Sequence, residues 1–286
     1  MSDPTNDRAA ASEDGADEVD GFGIPGVAPR YTGVEPERRL PKSNWLSGAF
    51  TMIARQAKNL FTATPSYPKS FSWEEKTTLP LPGAQGEVTA CVSYAGCLTA
   101  AIRHQLQTGR ALRLTPRVFH FCTLKLSQDQ GTNSDDFGEQ AVASGLPYAP
   151  TDALAEEPEQ LSSGGNCDTF ADWPRLRVSE LARFETPEAI KHEISINGPV
   201  VAHIALHDGF LDDYVRGTVY RPPAGSQRTG KHAVCLIGYD DDRGYWIGIN
   251  SSGPGWGSKG VFLLQYGTCD LLGEYMPVYA PRVPPQ

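Results

Sequence analysis

The sequence predicts an α+β fold in which a helical lobe packs against a lobe built from strands. Apolar residues recur with helical spacing through much of the chain before Pro199, and short runs rich in β-branched and aromatic residues follow it. Helices first and strands afterwards is typical of segregated α+β domains. With 286 residues and 40% hydrophobic content, the chain can bury a core of this kind.

Four helices are predicted in the middle of the chain. The longest begins at Ala90 and carries its apolar residues on one face until Gly109, a glycine at the position that ends many helices. Proline at the first helical position opens two others, after Thr115 and Thr186. The predicted helices are residues 90–108, 115–126, 134–145 and 186–198.

Five short strands are predicted after Pro199, where Gly, Pro and Asp separate the β-rich runs. A turn at residues 240–244 joins the third strand to the fourth, so we expect these two strands to pair. The predicted strands are Val200–Leu206, Thr218–Tyr220, His232–Tyr239, Tyr245–Asn250 and Val261–Tyr266.

Residues 1–64 are predicted to be an extension that precedes a domain at residues 65–286. Its first 20 residues hold seven acids and one base, which is typical of a solvated, disordered tail. Residues 43–61 carry one amphipathic helix, whose apolar stripe needs a surface to cover. We expect the extension to pack on the domain, with part of the Gly/Pro-rich strip 21–42 near the cleft as a lid. A membrane-surface helix is the alternative, which its few cations disfavour.

Composition argues against several classes of protein. A net charge of −9 disfavours nucleic-acid binding. The first residues show no basic segment followed by an apolar run, so we expect no Sec-type signal peptide. We also expect no membrane span, because no apolar stretch approaches ~20 residues. We expect a cytoplasmic protein, with leaderless secretion as the alternative. Six cysteines without a CxxC pair predict neither a disulfide scaffold nor a zinc site.

Cys91 is the candidate nucleophile because it opens the longest predicted helix. The positive end of a helix stabilises a thiolate, and its backbone N–H groups can receive the oxyanion that forms during acyl transfer. A cysteine at such a position is also an ordinary small core residue, so Cys91 alone decides nothing.

A histidine and an asparagine further along complete the pattern. His232 lies 141 residues after Cys91, and Asn250 lies 18 residues after His232. Acyl transfer by cysteine needs a group that carries the proton and a third group that holds this carrier, which a histidine and an amide can supply. The order and spacing of the three residues resemble those of papain-like cysteine peptidases.

Three blocks of sequence resemble the signature blocks of the papain family of cysteine peptidases, including its bacterial, xylellain-like members. They are Gln85-Gly86 with Cys91, His232-Ala233-Val234 with Gly238-Tyr239, and Asn250-Ser251 with the glycine-rich run to Gly257. The resemblance covers about residues 66–280. It implies two lobes, one with a long central helix and the other an antiparallel, barrel-like sheet.

The resemblance also implies roles. Cys91 would attack the scissile carbonyl, His232 would hold the imidazolium and protonate the leaving amine, and Asn250 would orient the ring. Gln85 and the Cys91 backbone N–H would form the oxyanion hole. The substrate would be a protein or peptide; no metal or cofactor is implied, and we expect a monomer.

Candidate substrate-binding residues follow from the same resemblance. Residues 132–135 match a Cys-Asn-Gly-Gly stretch at the substrate-binding wall, which makes Asn133, Ser134 and Asp135 candidates although Ser and Asp replace the glycines. Glu274 falls near the floor of a specificity pocket, where an acid would favour a basic substrate side chain. A solvent-facing glutamate is the alternative.

Other departures concern the surroundings of the triad. Ser252 stands where the family has a tryptophan that shields the His–Asn hydrogen bond. Trp256 is a candidate to cover part of that gap and to contact the substrate. Lys231, before the histidine, would disfavour an imidazolium unless its side chain points away. Cys122 and Cys167 fall near a disulfide pair of the family, with two reduced thiols as the alternative.

The predicted function is hydrolysis of internal peptide bonds through a thioester, with the extension as an inhibitory lid. Two alternatives remain. One is another acyl transfer or amide hydrolysis with the same triad. The other is a binding protein with a weakened site, motivated by Val92, Asp135 and Ser252.

Overall fold

The computed structural model describes residues 67–150 and 160–285. The predicted extension, residues 1–64 with its helix at 43–61, lies outside the described residues. The longer helices are α1 (Cys91–Thr108), α2 (Ser134–Ser144) and α3 (Pro187–Asn197). A short helical segment, Pro116–Val118, continues as a π-helical turn, Phe119–Thr123, and 3-10 turns occur at Trp73–Glu75 and Cys167–Phe170.

The strands form one large sheet and one small one within the described residues. The large sheet has the order β4-β10-β5-β7-β8-β9-β6, with β1 also on β7, and all its pairs are antiparallel except β6 with β9. Strands β2 and β3 form the small sheet. The strands are β1 (Ser70–Ser72), β2 (Leu146–Pro147), β3 (Arg175–Leu176), β4 (Glu180–Phe184), β5 (Val200–His207), β6 (Val219–Tyr220), β7 (Arg228–Asp240), β8 (Tyr245–Ile249), β9 (Val261–Gln265) and β10 (Val278–Arg282).

Helix α1 is the central element of the helical half, as predicted. Residues 91–97 are all buried, which fits a helix held inside the protein rather than on its surface. Gly109 ends it in the left-handed conformation (φ 72°), and the Gly109 N–H donates to the Gln105 carbonyl at 2.8 Å. The helix contacts β7, β10 and β5 of the large sheet as well as α2, so it lies between the sheet and the other helices.

The other predicted helices are confirmed in part. Helix α3 begins as expected, with the Thr186 hydroxyl accepting from the Ala189 N–H. Helix α2 is also present, capped by Asn133. The helix expected over residues 115–126 is wrong in its second half. It widens into the π-helical turn, and Lys125, whose left-handed backbone (φ 58°) cannot continue a helix, follows it.

A buried ion network ties α1 to the sheet half. The Arg103 guanidinium donates to Glu193 Oε1 of α3 at 2.6 Å and to the Pro199 carbonyl at 2.8 Å. Arg282 of β10 pairs with the same carboxylate. Arg103 is 1% exposed, so its charge-assisted hydrogen bonds join α1 to α3 in the interior, and the partly exposed Arg282 adds β10 to the network.

No helix in the described ranges combines the length and hydropathy of a membrane span.

Candidate active site

His232 and Asn250 form the centre of the site. His232 lies on β7 and Asn250 directly follows β8, the strand that pairs with β7 across the turn at residues 241–244. Their side chains meet: His232 Nε2 and Asn250 Oδ1 are 2.7 Å apart. Each residue is 1% exposed, so this hydrogen bond is shielded from water. An amide oxygen accepts only, which fixes the ring proton on Nε2.

The Asn250 amide is held at both of its ends. Oδ1 also accepts from the Ser251 backbone N–H at 2.8 Å, and Nδ2 donates to the Ser252 hydroxyl at 2.9 Å. Neither serine was predicted from the sequence as a partner of this amide. Their adjacency to Asn250 was the available signal.

Gln85 is joined to the same segment. Its backbone N–H donates to the Ser251 carbonyl at 2.8 Å, and its side-chain Oε1 accepts from the Ser251 hydroxyl. Its Nε2 donates to the Val88 carbonyl at 2.9 Å. An amide nitrogen carries two hydrogens, so this bond leaves the second for another acceptor. The residue is 1% exposed.

Cys91 is the first residue of α1, as the sequence predicts. The preceding Ala90 has no polar side chain to cap the helix, so the first-turn N–H groups face no side-chain acceptor at this position. Cys91 packs in the same buried cluster as Ala233, the residue after His232. It is fully buried, with 0% exposure. The helix tip and the histidine strand therefore meet in one core.

Burial dominates the electrostatics of His232. Desolvation lowers the pKa of its imidazole to about 4, and the hydrogen bond to Asn250 acts in the opposite direction. With this pKa the ring is neutral near pH 7. Lys231 points away from it, because its ammonium lies over the Tyr275 ring, 5.6 Å from the centroid.

The predicted wall residues lie at the start of α2. Asn133 uses its side chain as the helix cap, accepting from the Asp136 N–H at 2.9 Å. Ser134 is fully buried, and Asp135 pairs with Arg183 of β4. Of the three, Asp135 is the most accessible, and their role in substrate binding stays a prediction.

The other two predicted binding residues lie apart from the triad's hydrogen bonds. The Trp256 indole donates to the Leu211 carbonyl at 2.7 Å and stacks on Tyr214 at 5.0 Å between centroids. Glu274 is exposed on the loop before β10.

Cys122 and Cys167 form a disulfide with Cα atoms 5.5 Å apart, so the structure contains the bridge rather than the two reduced thiols, a choice that the sequence left open. The bond joins the π-helical turn to the 3-10 turn at Cys167–Phe170. Three further cysteines are buried thiols that take no part in this disulfide: Cys97, Cys235 and Cys269.

Sequence reasoning missed His203, a fully buried histidine beside the site. It lies on β5 directly opposite Ala233 of β7, and its ring packs on Tyr279 with centroids 5.7 Å apart. Neither ring nitrogen has a hydrogen-bond partner among the described residues. Desolvation, with Lys231, Arg183 and His232 nearby, lowers its pKa to about 3. Its position inside an apolar strand gave no signal in the sequence.

Comparisons with known proteins find cysteine proteases, in sequence and in structure. A cysteine protease from Blomia tropicalis is 25% identical over 228 residues, covering 76% of this chain and 68% of the relative. Xylellain, a cysteine protease from Xylella fastidiosa, matches in structure with a TM-score of 0.61 and 16% identity, covering 90% of this chain and 97% of that one. Procathepsin B S9 from Trypanosoma congolense matches with a TM-score of 0.64 and 18% identity, covering 90% and 87%.

The structural matches establish a shared papain-like, two-lobe α+β fold. The sequence model of the papain family cysteine proteases matches residues 67–279, which is most of the 286 residues. The chain therefore belongs to the papain family of cysteine proteases, a family of hydrolases.

Proposed function

We propose that this protein is a cysteine endopeptidase that cleaves peptide bonds through a thioester on Cys91. The observation that carries the proposal is the buried 2.7 Å hydrogen bond between His232 Nε2 and Asn250 Oδ1, in contact with the core that holds the helix tip of Cys91. The Nε2 proton is held in the hydrogen bond to Asn250, so Nδ1 is the ring atom that would exchange a proton with the thiol.

The proposed chemistry follows from these groups. The thiol gives its proton to His232, and the thiolate attacks the carbonyl carbon of the scissile bond. The Cys91 backbone N–H and the second N–H of Gln85 Nε2 stabilise the oxyanion. The imidazolium then protonates the leaving amine, and a thioester remains. Water, deprotonated by His232, hydrolyses the thioester and restores the thiol.

Active-site labelling and product analysis test this proposal together. Incubation with an epoxide or vinyl-sulfone probe should modify Cys91 of the wild type and not of Cys91→Ala, with the site located by mass spectrometry. Peptides blocked at both ends should be cut internally by the wild type. The absence of both labelling and cleavage, in full-length and truncated protein, would favour a binding protein; transfer to an added amine in place of hydrolysis would favour an acyl transferase.

We also propose that the full-length chain is a latent form, with residues 1–64 acting as an inhibitory lid. Cys91 is 0% exposed, and Gln85, His232 and Asn250 are each 1% exposed, so the proposed catalytic groups present almost no surface to solvent. The amphipathic stripe at residues 46–61 supports a segment that packs on the domain. One structural neighbour, procathepsin B S9, is itself a proform.

Deleting residues 1–64 tests the lid. Probe labelling of Cys91 and peptide cleavage should both become faster in the truncated protein, and a separately added 1–64 peptide should slow them again. Equal labelling rates with and without the extension, in protein that remains monodisperse, would contradict the lid. Aggregation of the truncated protein would instead favour a structural strap.

A xylellain-like, bacterial placement within the family is a finer proposal. It is supported by the match to xylellain over nearly the full length of both chains. A phylogeny of the family that groups this chain with animal or plant cathepsins would overturn it.

A further inference from the structure

The hydroxyl group of Ser252 contacts the Asn250 amide on the side away from His232. Asn250 Nδ2 donates to Ser252 Oγ at 2.9 Å, while Oδ1 accepts from His232 Nε2 at 2.7 Å and from the Ser251 N–H at 2.8 Å. The amide is therefore bonded at both ends within a site that is 1% exposed at Asn250.

The two serine contacts do different things. The Ser251 N–H can only donate, so it determines that the carbonyl end of the amide faces the ring. The Ser252 oxygen holds the opposite end, which restrains rotation of the amide plane about Cβ–Cγ. Without it, Nδ2 would be a buried donor lacking its acceptor, and other rotations of the amide would compete with the observed one.

We propose that Ser252 is a positioning residue, whose hydroxyl fixes the Asn250 amide plane so that Oδ1 stays on Nε2 of His232 and Nδ1 can accept the proton of Cys91. This inference rests on the proposed peptidase function and specifies how its histidine is held in one tautomer. If the amide swung away, the ring proton would no longer be held on Nε2. A ring with its proton on Nδ1 cannot take one from the thiol.

The backbone of Ser252 is itself well placed for this role. It pairs with Ala84 in an isolated β-bridge, and the Gly253 N–H donates to the Gly83 carbonyl at 3.1 Å. Gln85 follows Ala84 directly. The segment that carries the proposed oxyanion donor therefore also anchors the residue that orients Asn250, so both parts of the site share one support.

The direct test is ¹⁵N NMR of histidine-labelled protein in the Cys91→Ala background at pH 7.5, where His232 titration is not coupled to a thiol. A further His232→Gln variant identifies its signals. We expect the pattern of an Nε2–H tautomer in C91A, tautomer averaging in C91A/S252A, and the parent pattern in C91A/S252T, which keeps the hydroxyl. Ser258→Ala, a half-buried serine on the same loop, is the matched control and should resemble the parent.

Kinetics of the wild-type background supply the second readout. In Ser252→Ala, kcat should fall about fivefold with little change in KM, as expected for one hydrogen bond that acts on the reacting groups. The basic limb of the pH profile should move to lower pH, because the ring's hydrogen bond to Asn250 favours the imidazolium. Ser252→Thr should restore both.

The outcomes separate this inference from the function on which it rests. The positioning role is overturned if the C91A/S252A protein shows the tautomer pattern of its parent. It is also overturned if S252A in the wild-type background is active with unchanged kcat and pH profile. A wild type that neither binds the probe nor cleaves peptides defeats the peptidase proposal, while the NMR comparison still decides on Ser252. If S252A does not fold, Ser252→Cys replaces it, since a thiol is close in size but a weak acceptor.

Discussion

Gln85 carries the amide N–H that is proposed to donate to the developing oxyanion. The residue is 1% exposed, so this donor is held away from bulk water. Its Oε1 is held by the Ser251 hydroxyl and its Nε2 by the Val88 carbonyl, so the group is oriented before a substrate arrives. A preorganised donor of this kind acts on the transition state more than on the bound substrate.

Gln85→Ala should therefore lower kcat by about 100-fold or more, with a small effect on KM. Steady-state cleavage of a blocked peptide measures both constants. Gln105→Ala is a suitable control, because the Gln105 side chain makes an exposed hydrogen bond to the Thr78 carbonyl, outside the site. A Q85A enzyme within twofold of the wild type would remove Gln85 from the oxyanion hole.

His203 makes stability depend on pH. Its pKa is lowered to about 3 in the folded protein, against about 6.5 in the unfolded chain, and those of His120 and His232 are lowered to about 4. Between these limits the unfolded chain binds protons that the folded chain does not. The free energy of unfolding should thus fall as pH drops from about 6.5 towards 3.

Replacing His203 with Leu removes one of these groups. In the Cys91→Ser background, which prevents self-cleavage, urea unfolding at pH 7 to 4 should give a pH slope smaller by up to about 1.4 kcal/mol per pH unit. Ile204→Leu, the next residue of β5 and also buried, should keep the slope of the parent. Parallel curves for H203L and the parent would show that His203 is protonated equally in both states.

At the scale of elements, the sequence predicts those that carry their own signals. Helix α1 has a continuous apolar face and a closing glycine, and α3 has a Thr-Pro start, so local chemistry suffices for both. The long central strand β7 was also expected, although it begins at Arg228, four residues before the prediction. Its early part pairs with β5 and is thus fixed by a partner strand.

The elements that were missed depend on distant partners. Strands β2 and β3 have two residues each and pair only with each other, although β3 begins 29 residues after β2 in the chain. Strand β10 contains Pro281, which breaks the usual strand pattern but fits here between β4 and β5 because it pairs with Leu181 of β4 alone. The sequence pointed to the His232–Asn250 pair for the opposite reason, because the order and spacing of these residues are visible in it, whereas the Ser252 contact and His203 depend on packing.

Gly96 allows α1 and α2 to approach each other. A methyl group at this position would overlap the ring of Phe137, which is fully buried and packs on Phe119 with centroids 5.2 Å apart. The ring cannot move without disturbing this cluster. Gly96→Ala should lower the free energy of unfolding by about 1–3 kcal/mol despite the better helix propensity of alanine.

A double-mutant cycle with Phe137→Leu checks the cause. The smaller side chain makes room for the methyl group, so F137L should cost less in the G96A background than in the parent. Chemical denaturation of the four proteins in the Cys91→Ser background measures the coupling. Additive effects would mean that Gly96 serves some purpose other than this close approach.

At the scale of the whole molecule, the site depends on how firmly the two halves are joined. Helix α1 reaches across with Cys91 at one end and the Arg103 network near the other, and the Gln85 segment is bonded to the segment after β8. Each half supplies part of the proposed catalytic group. The disulfide has a different role, because Cys122 and Cys167 both belong to the helical half and lie 45 residues apart in sequence.

Closing a loop of this length restricts the unfolded chain. Chain-entropy arguments give a stabilisation of about 4 kcal/mol for 45 residues, as an upper value when the folded state is unstrained. We expect the Cys91→Ser protein to lose about 2–4 kcal/mol of unfolding free energy when a reductant is added, as measured by urea denaturation. The Cys91→Ser, Cys122→Ala, Cys167→Ala protein should resemble the reduced protein and be insensitive to reductant. A reductant effect that persists in this variant would trace to another thiol, and no effect in either protein would mean that the bond does not form in solution.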